Sequence, residues 1–427
     1  MLNSRPLEFP RKSPALFVLT GSALLAVILI FTTVDPWLER AGILAGGLDV
    51  HVYRDGAWKI LHGLPLYTEP SNVLGLMYTY TPFSTIAFIP IDMVPWRYVT
   101  NTWLVVNLLV LFGCVLMSWR ILGYRLSVPL ASISALLAIT CAFIEPVRTT
   151  LYYGQINLVL MLLVLWDFSR GDQAKLRGIG VGLAAGIKLV PMYFVVQFIA
   201  LRQWRSAVTA AAVFAASVGL TWIVLPADSL QYWTSTFFQS NRIAVDINPA
   251  NQSIRGVIAH LIGGPAPVWL WLLIAGTVAG ISLAVTVSLD EHGERLLAVT
   301  LAGLTACAIS PFSWGHHWVW FVPLLVYLVH KAQSKPRWWI AAAAVFLSTG
   351  AWTYHWSEDF VTIGVFMLPP SWPVAQILMN GYVIVYCAVL GGSIVVLARL
   401  PRDLPESGSP RLLGNMVGRI RKSLRVS

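Results

Sequence analysis

The chain has 427 residues, 57% of them hydrophobic and only 11% charged, with a positive mean hydropathy; lipid must solvate its bulk, which marks an integral membrane protein and excludes a water-soluble enzyme. The net charge of +10 does not point to nucleic acid, because much of the excess sits in short loops and in the tail "RLLGNMVGRIRKSLRVS", where no aromatics are interleaved and anchoring on anionic lipid explains it. Cys114, Cys141, Cys307 and Cys387 lie in apolar runs without paired spacing, which argues against a disulfide framework and against a zinc site.

In chain order, the apolar run 15–34 is about a bilayer wide and leads into "DPWLER" without a small-residue cleavage site, so it reads as a retained first span. Basic loops belong on the cytoplasmic side: "RPLEFPRK", "WRILGYR" (119–125), "SRGDQAKLR" (169–177), "RQWR" (202–205) and "HKAQSKPR" (330–337). Span one therefore leads outward, 35–82 forms an outer loop, and 98–118 returns the chain; "YTYTPFSTIAFIPIDMVPW" between them becomes a shallow or re-entrant helix. Spans at 127–144 and 155–168 leave "EPVRTTLYYGQIN" outside. The next apolar run, "GIGVGLAAGIKLVPMYFVVQFIAL", has basic loops at both ends and Lys188 and Pro191 in its middle. Two half-helices that dip in and return satisfy both facts, since broken backbone at depth requires surrounding protein or a wet cavity. Further spans at 205–225, 266–288, 294–310, 318–330, 337–355 and 372–398 give an all-α polytopic protein of about ten full crossings with both termini cytoplasmic. Residues 1–400 form one transmembrane domain, and 401–427 a basic cytoplasmic tail after the linker "PRDLPESGSP".

Four polar stretches collect outside: "LDVHVYRDG", "EPVRTTLYYGQIN", "NPANQSIRG" and "SPFSWGHHW". Polar groups at a membrane edge are costly unless they serve one another or a ligand, so one outward-facing site is the economical reading. Asp49 follows a Gly-Gly-Leu turn and opens an amphipathic surface helix, with Val52, Ala57, Ile60 and Leu61 for its apolar side. Its carboxylate suits either a general base for a sugar hydroxyl or an N-cap. Asp35 and Asp55 compete with it; Asp35 precedes a proline, and Asp55 lies six residues on, toward the opposite face.

His316 and His317, beside Trp314 and Gly315, suit phosphate or proton handling, or packing in an aromatic belt. Lys188 and Arg148 can each balance a phosphate, although Lys188 could snorkel and Arg148 could pair with Glu145. Tyr53, Gln155, Asn157, Asn251 and Gln252 supply the neutral groups that sugar hydroxyls demand, with Arg255 adding a charge.

Taken in order, "LDVHVYRDGA…LHGLPLY", "YTYTPF", "YYGQIN", "GIKLVP", "NPANQSIRG" and "SPFSWGHHW" resemble the polyprenol-phosphate-mannose-dependent mannosyltransferases of glycosyltransferase family 87, over roughly residues 45 to 320. The resemblance implies a GT-C type fold. Asp49 then takes the place of the general base in the first outer loop. His316 and His317 match the late histidine pair and would handle the donor phosphate. Lys188 falls in the family's K-x-x-P break, and Gln155 with Asn157 in its G-Q-x-N segment. It also implies a polyprenyl-phosphate mannose donor, a phosphatidylinositol mannoside acceptor, an inverting α-1,2 transfer and a site on the outer, periplasmic side of the plasma membrane. Membrane lipids are expected as partners, and nucleic acid is not. No cofactor is expected, and a divalent metal is left open. Two rivals stand beside this reading: a related transferase that branches lipomannan or uses an arabinose donor, and, from another class, a transporter or lipid flippase suggested by the broken "GIKLVP" segment.

Overall fold

A computed structural model describes residues 7–10, 14–32, 46–73, 75–239, 244–352 and 379–400. Asp35, the linker at 401–410 and the basic tail lie outside the described residues, as do parts of the spans expected at 337–355 and 372–398. Among the described residues the chain is helical, and its β pairing consists of two isolated bridges, Leu7 with Tyr124 and Ile144 with Gly350.

Five helices are long and apolar enough to cross a membrane alone: α1 (Pro14–Thr32), α4 (Trp96–Ile121), α10 (Trp204–Val224), α13 (Val268–Glu291) and α17 (Gly381–Arg399). The remaining expected crossings are shorter, namely α5 (Val128–Cys141), α14 (Arg295–Ile309), α15 (Phe321–Ser334) and α16 (Trp338–Thr349). At ~1.5 Å per residue each reaches roughly 18 to 23 Å, less than a hydrocarbon core of about 30 Å. The crossing expected from 155 is one arm of a bent pair, α6 (Glu145–Tyr153) and α7 (Asn157–Phe168), which meet at 118°. Gly154 makes the corner at φ 71°, a conformation that favours glycine.

The expected break falls as the sequence placed it. α8 (Ile179–Ile187) ends at Lys188, whose backbone is extended, and a 3-10 turn at Val190–Met192 leads into α9 (Tyr193–Ala200). A broken helix leaves carbonyls without partners. Here the Thr81 hydroxyl serves them, donating to the carbonyl of Gly186 and to that of Ile187 at 3.2 Å. Thr81 also caps α3 (Pro82–Asp92) by accepting from the Ser84 N–H, so one side chain joins two helix ends.

The surface helix is α2 (Leu48–Leu61), and its apolar face agrees with the expected one only in part. Val52 and Ala57 are buried as expected, Val50 and Tyr53 are buried too, and Leu61 is 54% exposed. The cause is packing on protein: α2 lies against α3, and Tyr53 stacks on Phe88 at 4.4 Å. Every residue of α14 from Leu296 to Ala308 is buried, as befits a helix that is apolar all round. It packs against α9, α13, α15 and α17 and forms the centre of the molecule.

Candidate active site

A cavity of about 490 Å³ opens where the start of α2, the α6–α7 corner, the break after α8 and the loop after α14 converge. Asp49, Gln155, Lys188, His316 and His317 all line it. These five come from four segments that are far apart in sequence and meet around this one cavity.

Asp49 stands in the first turn of α2, where a helix N-terminus favours negative charge. It is not the N-cap; that position belongs to Gly47 in the left-handed conformation, whose N–H donates to the Tyr152 carbonyl at 2.7 Å. The Asp49 side chain is thus free to face the cavity. Burial raises its pKa to about 6, opposed by a hydrogen bond from Gln155 and by the positive charge of Lys188. Behind it, the Gln155 oxygen accepts hydroxyls from Tyr53 at 2.9 Å and Tyr80 at 3.1 Å. Those two hydroxyls are themselves 2.8 Å apart.

On the facing wall, Lys188 Nζ donates to Asn157 Oδ1 at 3.1 Å and stands 3.0 Å from His317 Nε2. An ammonium has no lone pair to offer, so His317 accepts through Nε2 and carries its proton on Nδ1, 3.5 Å from Ser313 Oγ. Burial and the nearby Lys188 charge hold His316 and His317 well below the usual histidine pKa. At neutral pH both are therefore neutral hydrogen-bonding groups, and the cation of this wall is Lys188. The Asn157 amide donates to the His316 carbonyl at 2.9 Å, and the Thr150 hydroxyl to the same oxygen at 3.2 Å.

Residues 315–318 form a 3-10 turn packed on α6. Glu145 accepts hydroxyls from Tyr382 and from Thr149, the latter at 3.0 Å. A Cβ at position 315 would lie 2.5 Å from the Glu145 carboxylate, so a side chain there requires Glu145 or the turn to shift.

Several side chains expected to touch substrates are not among those lining the cavity. Arg148 is buried and donates to the Ala351 carbonyl at 3.3 Å, on the side of α6 toward α16. Asn251 accepts from the Ser313 N–H at 3.2 Å and from the Ser253 hydroxyl at 2.8 Å. Gln252 donates to the Pro249 carbonyl at 3.0 Å and the Met379 carbonyl at 2.7 Å, and accepts from the Tyr382 N–H at 3.2 Å. Arg255 pairs with Asp246 at 3.0 Å and lies over Trp271. Asn157 and Tyr53 stand one layer behind the wall, and Asp55 accepts from Asn72 at 2.8 Å. The physical reason is common to these groups: each satisfies buried backbone or a neighbouring side chain, and the stretch from 251 to 253 holds the histidine loop through Ser313.

Sequence reasoning missed Tyr80, Thr81, Tyr193, Tyr232 and Trp314, which also line the cavity. The Tyr-Thr alternation of "YTYTPF" before a proline was a usable sign for the first two, and Trp314 stood in the polar "SPFSWGHHW" beside the histidines; Tyr193 sat in an ordinary apolar run and Tyr232 in a mixed one, "SLQYWTS". Among the described residues no group of three or more His, Cys, Asp or Glu side chains is placed to hold a metal ion.

The sequence profile of glycosyltransferase family 87 matches residues 78–311, more than half of the chain. The chain belongs to glycosyltransferase family 87. A polyprenol-phosphate-mannose-dependent α-(1-2)-phosphatidylinositol pentamannoside mannosyltransferase of Mycolicibacterium smegmatis is 34% identical, over 73% of this chain and 77% of the relative. The protein of the same description from Mycobacterium tuberculosis is 32% identical over 74% of each chain. A polyprenol-phosphate-mannose-dependent α-(1-2)-phosphatidylinositol mannoside mannosyltransferase of M. smegmatis is 31% identical, over 72% of this chain and 75% of its own length. No solved structure matches. For this family 87 glycosyltransferase the matched region carries Gln155, Lys188 and the 251–255 stretch, whereas Asp49 precedes it and the histidine pair falls just after it.

Proposed function

We propose that the protein transfers mannose from polyprenyl-phosphate mannose to a phosphatidylinositol mannoside, forming an α-1,2 linkage with inversion at the outer, periplasmic face of the plasma membrane. The donor and acceptor named for the relatives support this reading. The observation that carries the reading is that a half-buried carboxylate, Asp49, and an ammonium, Lys188, line one cavity.

In this reaction the acceptor 2-hydroxyl oxygen bonds to C1 of the donor mannose while the bond from C1 to the phosphate oxygen breaks. The electron pair of that bond leaves with the polyprenyl phosphate, and the hydroxyl proton passes to Asp49. A base contributes about 100- to 10,000-fold to such a step. Gln155 orients the carboxylate, and Lys188 faces the phosphate with its direction set by Asn157 and His317. His316 and His317, being neutral, contribute hydrogen bonds at the donor phosphate. Charge that develops on the leaving phosphate is then met by donors already in place. Aromatic faces from Tyr193, Tyr232 and Trp314 suit a sugar ring and the first isoprene units.

The roles of Arg148, Asn251, Gln252 and Arg255 in this reading are those of supports for the cavity wall. The architecture is a single GT-C type membrane domain over residues 1–400 with about ten crossings, some of them short, and a basic cytoplasmic tail at 401–427. Purified protein offered synthetic polyprenyl-phosphate mannose and a short phosphatidylinositol mannoside should give an α-1,2-linked product and free polyprenyl phosphate. Polyprenyl-phosphate arabinose as the preferred donor, or no product from either, would refute the reading.

A further inference from the structure

A second cavity, of about 800 Å³, lies at the opposite end of α14 and α15 from the candidate active site. Glu294 and Leu297, at the start of α14, line it, whereas Ala306 and Ile309, near the end of that helix, line the first cavity. α16 and α17 form its flanks and touch one another only lightly. The gap between them is kept open by small side chains: Ala341, Ala344 and Ser348 on one stripe of α16, Ala388 and Gly392 on one stripe of α17.

The charges of this cavity lie at a single mouth. Lys331 pairs with Glu294 at 2.6 Å. Lys335, Arg337 and Arg399 also line the mouth, are exposed and show no ion pair among the described residues. The lining runs along α16 from Trp338 to Ser348 and along α17 from Arg399 to Ile384, roughly 15 and 22 Å at the helical rise. One leaflet is about half of a ~30 Å hydrocarbon core. The cavity therefore has the depth of one leaflet, apolar walls, and, at its end only, cations that make no ion pair among the described residues.

We infer that this cavity is a binding site for an anionic phospholipid, with acyl chains along α16 and α17 and the headgroup phosphate held by Lys335, Arg337 and Arg399. The anionic charge is what distinguishes the ligand from bulk lipid, because a zwitterionic headgroup brings its own cation to a mouth that already has three. The inference is independent of the substrate reading, since no lining residue is shared with the first cavity.

Native mass spectrometry of the purified full-length protein, titrated with phosphatidylglycerol and with phosphatidylcholine of the same acyl chains, tests it. Wild type should bind phosphatidylglycerol at least about tenfold more tightly. The Lys335→Gln/Arg337→Gln/Arg399→Gln variant should lose about 100-fold in affinity for phosphatidylglycerol, at about 1 kcal/mol per basic side chain, and keep its affinity for phosphatidylcholine. Ala344→Trp, which fills the groove, should lower binding of both lipids. Glycosyl transfer by the triple variant should persist, reporting that it is folded. Equal affinity of wild type for the two lipids, or full phosphatidylglycerol binding by the triple variant, would overturn the inference. So would a chain ending at Leu400 that binds much more tightly than the full chain, since residues 401–427 would then be the native occupant.

Discussion

Gln155 stands beside Asp49 and holds its pKa down against burial, with its own oxygen pinned by two tyrosine hydroxyls, Tyr53 at 2.9 Å and Tyr80 at 3.1 Å. The pair works as a unit, because the tyrosines decide which end of the carboxamide faces the carboxylate. Gln155→Leu removes the hydrogen bond that opposes the effect of burial. The apparent pKa of the acidic limb of kcat/KM should then rise above its wild-type value, and kcat should fall by about 10- to 100-fold. Tyr53→Phe should do the same more weakly. A pH profile of each variant decides the matter; an unmoved limb would mean that Gln155 does not orient the base.

Asp49 also links activity to stability. Its pKa is raised from the ordinary aspartate value of 3.8 to about 6, so the folded protein holds a proton there that the unfolded chain has released between those two values. Stability contributed at this position is present below pH ~4 and is lost as pH rises toward 6. Asp49→Asn, which cannot ionise, should melt at a higher temperature than wild type at pH 7.5, and the difference should shrink toward pH 4. Thermal denaturation at the two pH values measures it.

Lys188 and His317 should prove energetically coupled, since the ammonium donates to the imidazole at 3.0 Å. Lys188→Met removes the cation facing the leaving phosphate and should lower kcat by about 100- to 1,000-fold. His317→Ala leaves that cation without one of its partners and should cost less. The double variant should lose less than the sum of the two, with a coupling of about 0.5 to 3 kcal/mol in a double-mutant cycle. Strict additivity would separate the two residues.

Gly315 packs on Glu145, and a Cβ added there would stand only 2.5 Å from its carboxylate, which is held in turn by Tyr382 and Thr149. Gly315→Ala should displace the histidine turn and lower kcat by up to about 100-fold, the scale of a misplacement near 1 Å. Helix content by circular dichroism should be unchanged. Wild-type turnover by this variant would mean that the turn tolerates displacement.

Gln252 offers the contrast between a ligand and a support. It makes three side-chain hydrogen bonds to backbone groups. Gln252→Ala should therefore cost on the order of 2 kcal/mol of stability with KM for both substrates little changed in protein that remains folded. A raised acceptor KM with an unchanged melting temperature would instead make it a sugar ligand.

The break at Lys188 and the convergence of Asp49, Gln155 and the two histidines on one cavity were legible because each signal is local and costly. A lysine and a proline inside an apolar run, or a carboxylate after glycines at a membrane edge, must be compensated. Arg148, Asn251, Gln252 and Arg255 read as ligands for the same reason, since composition alone cannot tell whether a polar side chain serves a substrate or a neighbouring carbonyl. The crossing at 127–144 was read from hydropathy, which gives no helix length; the helix there is shorter, Val128–Cys141, because the chain turns at 142–144 into α6, whereas 294–310 agrees with Arg295–Ile309 to one residue at each end and 318–330 is shifted to Phe321–Ser334 by the 3-10 turn at 315–318. Tyr193 and Tyr232 were invisible for the opposite reason, because an aromatic facing a cavity has the same sequence context as one facing the core.

Initial-rate measurements on purified Asp49→Asn, with polyprenyl-phosphate mannose and a phosphatidylinositol mannoside across pH 5 to 8, test the central claim most directly. Wild-type kcat/KM should fall about tenfold per unit below an apparent pKa near 6. The variant should turn over about 100- to 10,000-fold more slowly and without that limb. An asparagine variant with wild-type rates, or one that keeps the acidic limb, would show that another group takes the proton.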